Sequence, residues 1–289
     1  MMSVSNLYTH GKPVMSFEFF PPKTDAGFRA LFRTIEDLKQ LDPGFVSVTM
    51  GAGGSTRTKT VDLVLRIQQE LGITAMAHLP CLGFSAQEIK DILDRLREGG
   101  VSNVLALRGD APQDQPNFSQ PADGFRHANE LVQFISSRGD FSIGGACYPE
   151  VHPEAESAES DLSHLVHKVE DGAHFLVTQL FFDNEKFFHF VERARSAGIG
   201  VPIIPGIMPI TSVKSVRRMT ALGGGSIPPE LDQELSRVDE DDEATLEIGV
   251  RWATLQCREL IDSGVPGIHF YTLNRSPATR RIHEALLNS

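Results

Sequence analysis

Short strand-like segments alternate with amphipathic helical segments along nearly the whole chain, and this alternation limits the possible folds more than any other feature. Between the apolar runs, apolar residues recur at three- and four-residue spacing, which is typical of helices packed on a core. Eight runs have the length and boundaries of strands: residues 14–20, 45–50, 74–80, 103–109, 142–148, 175–182, 202–209 and 267–273. The pattern predicts an α/β fold, a (β/α)8 TIM barrel whose single domain spans residues 1–289.

A doubly wound parallel sheet is the competing fold. It would carry a G-x-G-x-x-G turn after its first strand, and no such sequence opens the first helix. The glycines Gly51, Gly53 and Gly54 follow the second strand without forming that pattern, and they indicate a turn close to a ligand or a flexible loop. The longest gap, residues 209–267, predicts more than one helix. Its acidic run at residues 239–243 predicts a solvated helix start.

Charge and cysteine content limit the classes of partner. The net charge of -11 argues against nucleic acid or an anionic membrane surface as the main partner, so an anionic ligand requires a local basic site. The three cysteines, Cys81, Cys147 and Cys257, are far apart and predict no metal site. Their odd number and the polar first residues predict a cytoplasmic protein without a signal peptide. No apolar run approaches the roughly 20 residues needed to cross a bilayer.

Glu18 is a carboxylate inside the apolar, proline-bounded run 14–20. A carboxylate buried without a partner usually raises its pKa and becomes neutral, which is how a general acid is prepared at neutral pH. The alternative is a side chain that faces solvent or pairs with a lysine. From this segment alone, the two interpretations are equally good.

Polar residues close nearly every predicted strand, the seventh being the exception. In a barrel, the chemistry lies at the carboxyl ends of the strands. Strand ends also meet water, but a convergent set of carboxylates, histidine and arginines favours an active site over simple exposure. The residues are Glu18, Thr49, His78, Arg108, Asp110, Tyr148, Gln179, Asp183, Tyr271, Asn274 and Arg275.

The helix after the fifth strand carries a second set. Asp161, His164 and Lys168 are spaced by three and four residues and share one helical face, with His167 beside it. Such a face can bind a ribose through its carboxylate and a diphosphate through its cations. The alternative is an amphipathic surface helix with an ion pair.

The segment that leads into this helix contains two prolines, which restrict its backbone. This restriction can aim Tyr148 and His152 at a flat ligand. A histidine packed within the loop is an equally good interpretation of His152.

Nine short sequences, in order along nearly the whole chain, form a specific set. They are SFEFFPP (16–22), FVSVT (45–49), AHL (77–79), ALRGD (106–110), YPEVHPEA (148–155), KVEDGA (168–173), TQLFFD (178–183), IIPGIMPI (203–210) and HFYTLNR (269–275). With these sequences the chain resembles the bacterial methylenetetrahydrofolate reductases, flavin-dependent enzymes that make 5-methyltetrahydrofolate. The fold of that family is a (β/α)8 barrel, in agreement with the strand count.

The resemblance implies ping-pong reduction of 5,10-methylenetetrahydrofolate by NAD(P)H, with NADH the expected donor, through FAD, in the service of methionine synthesis. Glu18 matches the family's catalytic acid, and Asp110 matches the aspartate beside the flavin and the pterin. Substrate contacts are implied for Asp110, Gln179, Met219, Leu273 and Arg275. Cofactor contacts are implied for Thr49, Ala52, His78, Arg108, Gly109, Asp110, Ala128, Tyr148, His152, Asp161, His164, His167, Lys168 and Tyr271.

Some positions depart from the family pattern. Met50 stands where the family often has Tyr, and His164 and His167 stand where the compared member has Asn and Arg. Met219 replaces a Phe that packs over the nicotinamide or folate. Residues 111–121 match poorly and indicate a polar loop. The chain ends shortly after its last barrel helix, so no C-terminal regulatory domain is expected, and the resemblance suggests a homo-oligomer.

Two other classes of protein remain open at this level. One is a non-redox barrel that binds a pterin or folate, such as a methyltransferase domain, which would share the pterin-binding carboxylates and need no flavin. The other is a non-catalytic barrel that acts as a structural or regulatory subunit. Bound flavin that NADH reduces would separate the reductase from both.

Overall fold

A computed structural model describes the protein over residues 2–9, 11–51, 54–110, 118–239 and 241–287, with the backbone alone for residues 54–56. Within these residues, nine strands form one sheet in the order β7-β6-β5-β4-β3-β2-β1-β9-β8, and every pair is parallel. The strands are β1 (Val14–Phe19), β2 (Phe45–Val48), β3 (Ala75–Pro80), β4 (Asn103–Leu107), β5 (Ser142–Cys147), β6 (Phe175–Thr178), β7 (Ile203–Ile204), β8 (Gly206–Ile207) and β9 (Gly267–Tyr271).

Helices follow the strands in alternation, which is the chain order that the apolar pattern predicted. They are α1 (Val4–Leu7), α2 (Asp25–Lys39), α3 (Gly54–Glu70), α4 (Ala86–Glu98), α5 (Ala128–Ser136), α6 (Ala158–Glu170), α7 (Asn184–Ser196), α8 (Val213–Gly223), α9 (Pro229–Ser236), α10 (Asp242–Asp262) and α11 (Pro277–Leu287). None of the helices in the described part of the chain is long and apolar enough to cross a membrane.

Pro205 divides the seventh strand of the barrel into β7 and β8. Because proline has no N–H and a fixed φ, it interrupts the hydrogen-bond ladder. The residues before it pair with β6, the residues after it pair with β9, and the Pro205 carbonyl accepts a hydrogen bond from His269 N–H at 3.0 Å. The two halves together close the sheet into the predicted (β/α)8 barrel. The prediction of one continuous strand over residues 202–209 is wrong.

The sixth predicted strand is too long. It was expected over residues 175–182, but β6 ends at Thr178. The apolar residues that follow, including Leu180 and Phe182, are buried in a separate cluster with residues of α8 and α9. These residues are apolar because they pack outside the hydrogen-bonded strands. A run of apolar residues in a sequence looks the same whether it packs in this way or forms a strand.

The lower interior of the barrel is apolar and is closed by α1, which the sequence pattern did not predict. Phe45, Met76, Leu105, Phe175, Val177 and Ile204 form one buried cluster with Val4. The Val4 N–H donates to Asn103 Oδ1 at 2.9 Å and fixes this short helix beneath the strands. The packed lower layers leave the carboxyl ends of the strands as the place for a site.

The helices show the expected packing and capping. In α4, Ile89, Leu93 and Leu96 are fully buried, and Ser85 forms a capping box with Glu88. The gap at residues 209–267 holds α8, α9 and α10, in agreement with the prediction of more than one helix. Asp241, in the acidic run, caps α10 by accepting hydrogen bonds from two backbone N–H groups.

Candidate active site

Glu18 lies at the upper end of β1, with two imidazoles beside its carboxylate. Glu18 Oε2 is 3.3 Å from His78 Nε2 and 3.5 Å from His269 Nε2. The Glu18 side chain is only 16% exposed, and both histidines are buried. Parallel pairing of β1 with β9 brings Glu18 opposite Tyr271, two residues after His269. The carboxylate is therefore buried with partners, neither of which is a lysine.

The pKa of Glu18 moves in the direction opposite to the sequence-based expectation. Burial alone would raise it, but the charge of His78 and the N–H groups of both imidazoles outweigh burial and lower the pKa from 4.5 to about 2. The expectation of a raised pKa was wrong, because it assumed a carboxylate without partners. Glu18 is a charged carboxylate at neutral pH until something else binds beside it.

His269 is held in place by two serines and an aromatic ring. Its Nδ1 is 2.7 Å from Ser16 Oγ and its Nε2 is 3.3 Å from Ser47 Oγ, while the ring stacks on Phe45 at 5.7 Å. Ser16 precedes Glu18 by two residues on β1, so both side chains point to the same side of the strand. This polar layer divides the apolar lower interior from the barrel mouth.

His78 has unused hydrogen-bonding capacity. Its Nε2 is buried and, although it lies at ion-pair distance from Glu18, it makes no aligned hydrogen bond within the described part of the chain. Buried polar atoms in native proteins are nearly always paired. His78 Nε2 therefore meets the Glu18 carboxylate at 3.3 Å with poor hydrogen-bond geometry.

A cleft of about 590 Å³ opens beside the barrel mouth, between the carboxyl ends of β4 and β5 and the helices α5, α6 and α7. Its volume is typical of small-molecule sites. Among the residues that line it are seven of the predicted cofactor contacts: Arg108, Ala128, Tyr148, His152, Asp161, His164 and Lys168. His167 is exposed and lies outside this lining.

Lys168 and Asp161 occupy fixed positions in the cleft wall. Lys168 Nζ donates to the Ala146 carbonyl at 2.6 Å, and its stem covers Gly145, where a Cβ would lie 2.7 Å from Lys168 Cδ. Burial lowers the pKa of Lys168. Asp161 Oδ2 accepts a hydrogen bond from His152 N–H at 3.0 Å. The cation and the carboxylate thus face one cavity from one helix, as their spacing predicted.

Two tyrosines connect the cleft with the barrel mouth. The pKa of Tyr148 is raised to about 12 by burial and by the nearby carboxylates of Asp110 and Asp161. Burial also raises the pKa of Tyr271, with further contributions from Glu18 and Tyr148. Tyr271 Oη donates to the Thr178 carbonyl at 2.5 Å. The charges of the cleft and of the barrel mouth therefore both act on these two tyrosines.

The remaining predicted contacts lie around the mouth. Thr49 is half-buried after β2, and Asp110 is exposed after β4. Gly109 has φ +79°, and a Cβ there would lie 2.6 Å from Pro80 Cβ, which explains the need for glycine. Ala52 lies outside the described residues, as does segment 111–117 of the poorly matching loop.

On the opposite side of the mouth are the predicted substrate contacts. Gln179 packs against Gly223 at the end of α8, and Met219 on the same helix is 36% exposed. Leu273 is half-buried with φ +51°, and Arg275 is exposed. These side chains surround the mouth without contacting the cleft on the α6 side.

Sequence reasoning missed His269, Ser16 and Ser47 as parts of the site. The available signal was strand periodicity, since residues two apart on a strand share a face. Ser16 precedes Glu18 by two, and His269 precedes Tyr271 by two. Their role as partners of Glu18 depends on which strands pair, which only the structure gives.

The groups in the cleft suit FAD. Arg108 and Lys168 supply cationic donors for a diphosphate, His164 supplies a ring nitrogen beside them, and Asp161 supplies an acceptor for ribose hydroxyls. Tyr148 and His152 pack edge to face at 4.6 Å and offer aromatic surface. By contrast, no group of three or more His, Cys, Asp or Glu in the described residues is placed to hold a metal, and the three cysteines are buried free thiols.

The chain forms a (β/α)8 barrel with a carboxylate and two imidazoles clustered at the carboxyl ends of its strands, next to a cleft. These features define a barrel enzyme, of the class that binds its ligands at that end. A family model described as methylenetetrahydrofolate reductase matches residues 3–287. The chain belongs to the methylenetetrahydrofolate reductase family.

Individual relatives differ in how much of their length is matched. Methylenetetrahydrofolate reductase (NADH) 1 of Arabidopsis thaliana is 40% identical over 282 residues, which are 94% of this chain and 48% of that protein. The 5,10-methylenetetrahydrofolate reductase of Escherichia coli is 38% identical over 276 residues, 96% of this chain and 91% of that protein. The chain thus spans about half the length of the plant relative and most of the bacterial one.

Solved structures support the fold. An uncharacterized protein from Clostridium thermocellum that binds two copies of 5-methyl-5,6,7,8-tetrahydrofolic acid superimposes with a TM-score of 0.64. The match covers 99% of this chain and 98% of that chain at 14% sequence identity. At this identity the likeness shows the shared fold alone.

Proposed function

We propose that the protein reduces 5,10-methylenetetrahydrofolate to 5-methyltetrahydrofolate with NADH as the electron donor and FAD as its bound cofactor. The observation that carries this proposal is the position of Glu18, a partly exposed carboxylate at the barrel mouth, beside a cleft suited to FAD, in a member of this family. Several plant relatives are named as NADH enzymes, which supports NADH over NADPH.

The chemistry of the substrate requires an acid. The methylene carbon of 5,10-methylenetetrahydrofolate is held between two nitrogens and is unreactive toward hydride until the five-membered ring opens. Opening breaks one carbon–nitrogen bond, transfers a proton to the departing amine nitrogen and leaves an iminium at the methylene carbon. Glu18 is the proposed donor of that proton.

Glu18 must gain a proton before it can act. In the ligand-free protein its pKa is about 2, because the imidazoles stabilise the carboxylate. A bound folate that excludes water from the mouth and engages His78 would remove part of this stabilisation and raise the pKa. Substrate binding and protonation of Glu18 are therefore coupled in this mechanism.

FAD, when bound, would supply the hydride chemistry that links NADH to the methylene carbon. Lys168, His164 and Arg108 would hold its diphosphate, and Asp161 would hold its ribose. Asp110, exposed after β4, is the proposed hydrogen-bond partner of the pterin.

The folate and nicotinamide share the space above the barrel mouth in turn. Gln179 and Met219 line one side of that space, and Arg275 meets the glutamate portion of the folate. Thr49 is placed at the end of β2, where the ring of either ligand would lie. Tyr271 and Leu273 complete the wall. Sharing one binding space accounts for a ping-pong order of the two substrates.

The test is optical and chemical. Purified protein reconstituted with FAD should absorb near about 450 nm, lose this absorption with NADH under anaerobic conditions, and regain it with 5,10-methylenetetrahydrofolate. 5-Methyltetrahydrofolate should be the product. A colourless protein that binds folate but does not bind FAD would overturn the reductase in favour of a non-redox folate-binding barrel.

The same proposal includes a place in the cell and an assembly. We expect a single-domain, cytoplasmic homo-oligomer that supplies methyl groups for methionine synthesis. Light scattering of the purified protein measures the assembly directly. A monomer at working concentration would contradict the homo-oligomer without affecting the proposed reaction.

A further inference from the structure

We infer that Glu150 is a positioning residue for the cleft: a clamp formed by Glu150, Lys186 and Ser226 holds the strained backbone of Val151, and with it the cleft residues on either side. This inference rests on the proposed function in so far as FAD is the ligand of the cleft. Glu150 itself has no role in the mechanism above, since its carboxylate turns away from the cleft toward α7 and the loop after α8.

The clamp joins three segments of the chain. Glu150, only 14% exposed in its side chain, accepts hydrogen bonds from Ser226 N–H at 3.0 Å and Ser226 Oγ at 2.7 Å, and it pairs with Lys186 Nζ. Lys186 Nζ also lies 2.5 Å from Ser226 Oγ. A shielded carboxylate with several charge-assisted bonds is a rigid attachment. It ties the loop after β5 to α7 and to the loop between α8 and α9.

The next residue, Val151, has φ +98°. Branched side chains avoid positive φ because Cβ collides with the backbone, so a valine there is an outlier that the surrounding structure must enforce. The enforcing contacts come from the same α8–α9 loop: a Cβ on Gly224 would lie 2.7 Å from Pro153 Cγ and 3.3 Å from the Val151 carbonyl. The clamp holds the residue before Val151, and the close approach of Gly224 meets Pro153 and the Val151 carbonyl, so one loop contacts the chain on both sides of Val151 in sequence.

The strained residue lies between two side chains of the cleft. Tyr148 and His152 pack edge to face at 4.6 Å, and His152 N–H donates to Asp161 at 3.0 Å. Val151 lines the cleft with them. If the Val151 backbone relaxed to negative φ, His152 N–H would turn away from Asp161 and the cleft wall would change shape. The clamp therefore maintains a backbone conformation of Val151, and with it a shape of the cleft wall, that Val151 would not adopt without it.

A double-mutant cycle separates positioning from simple stabilisation. Glycine adopts φ near +98° without strain, so Val151→Gly removes the need for the clamp. We expect Glu150→Gln to raise the FAD dissociation constant about tenfold or more in the Val151 protein and less than about threefold in the Val151→Gly protein. Dilution of holoprotein, followed by the recovery of flavin fluorescence, measures this constant.

The matched control is Glu247→Gln, which breaks the exposed ion pair between Glu247 and Arg281 far from the cleft. It should leave the dissociation constant unchanged. If Glu150→Gln does not fold, Ser226→Ala removes one hydrogen bond of the clamp and should show a smaller effect of the same kind. An unchanged constant in the clamp variants, or an equal penalty in the valine and glycine backgrounds, would overturn the inference.

A second measurement does not depend on flavin. Amide hydrogen exchange of Glu150, Val151 and His152, measured without added FAD, should be faster in Glu150→Gln and should return toward the wild-type rate when Val151→Gly is added. If the wild-type protein bound no FAD, the proposed function would fail, and the exchange rates alone would decide on the clamp. Exchange that is unchanged in Glu150→Gln would contradict it.

Discussion

The side-chain amide of Asn274 forms two hydrogen bonds with the backbone of Phe20. Asn274 Oδ1 accepts from Phe20 N–H at 2.9 Å, and Nδ2 donates to the Phe20 carbonyl at 2.8 Å. Thr272 Oγ1 also donates to the Glu18 carbonyl at 2.6 Å. These bonds continue the pairing of β1 with β9 beyond the ends of both strands. The backbone that carries Glu18 is thereby fixed to the segment that carries Arg275.

Asn274→Gly should destabilise the protein by about 1–3 kcal/mol, which is the usual contribution of two such hydrogen bonds. Asn274 has φ +59°, which glycine adopts freely, so the variant loses the bonds without backbone strain. Asn274→Ala adds that strain and should lose about 1 kcal/mol more. Urea unfolding measures both. A glycine variant as stable as the wild type would show that the two bonds contribute nothing net.

Glu18→Gln should separate the two half-reactions. Glutamine keeps the size of the side chain but carries no transferable proton, so NADH should still bleach the bound flavin at nearly the wild-type rate. Reoxidation by 5,10-methylenetetrahydrofolate should slow by about 10²-fold or more. Anaerobic stopped-flow absorption measures each step. Reoxidation at the wild-type rate would remove Glu18 from the acid role.

Folate binding should be coupled to proton uptake by Glu18. The pKa of this group is about 2 in the ligand-free protein, so it is unprotonated at neutral pH and must gain a proton to act as an acid. A group whose pKa rises on binding makes the complex more favourable at lower pH. The dissociation constant of 5,10-methylenetetrahydrofolate for the oxidised protein should therefore fall by up to about tenfold per pH unit as the pH is lowered below the raised pKa of Glu18 in the complex.

Calorimetry in buffers of different ionisation enthalpy measures the proton uptake directly. Glu18→Gln should abolish both the uptake and the pH dependence of folate affinity. The same dependence in wild type and variant would assign the proton to a group other than Glu18.

Lys168→Met tests the cationic contact in the cleft. Methionine keeps an unbranched stem over Gly145 but loses the charge and the donor, so we expect the FAD dissociation constant to rise by about 10-fold to 100-fold. Lys168→Ala should do the same with a larger loss of stability, because the stem is also removed. Glu170→Gln, an exposed substitution two positions away on the same helix, is the control and should change the constant less than about twofold. Equal constants for Lys168→Met and wild type would exclude the contact.

Much of the fold followed from the sequence because a barrel repeats one simple pattern. Strand and helix periodicity placed the barrel strands and the helices between them in order, although the short helix α1 was not predicted. The break at Pro205 and the early end of β6 were not predicted. Both features depend on which residues pack against an apolar segment, and the sequence of the segment itself does not identify those residues.

The site was only partly readable for a related reason. The helical spacing of Asp161, His164 and Lys168 fixed a shared face, and the structure places these residues in one cleft. The pKa of Glu18 was predicted in the wrong direction, because His78 and His269 come from strands distant in sequence. Local pattern identifies residues that can do chemistry, whereas pKa values depend on neighbours that only strand pairing brings together.

Gly206→Ala should disturb the point where the barrel closes. A Cβ at Gly206 would lie 2.6 Å from Tyr271 Oη and would also collide with the Thr178 carbonyl, the acceptor of the Tyr271 hydroxyl. The Thr178 carbonyl belongs to the backbone and cannot turn away, so the new Cβ is not accommodated without a shift of the Tyr271 side chain. Overpacking of this kind costs about 1–3 kcal/mol. Urea unfolding measures the loss of stability.

Gly200→Ala is the matched control, since a Cβ there meets nothing within 4 Å. Its stability should stay within about 1 kcal/mol of the wild type. Displacement of Tyr271, which lies beside Glu18, should in addition slow flavin reoxidation by 5,10-methylenetetrahydrofolate more than flavin reduction by NADH. If Gly206→Ala matched Gly200→Ala in both stability and reoxidation rate, Tyr271 would not need its bond to Thr178, and the barrel mouth would tolerate a looser closure than the packing around Gly206 implies.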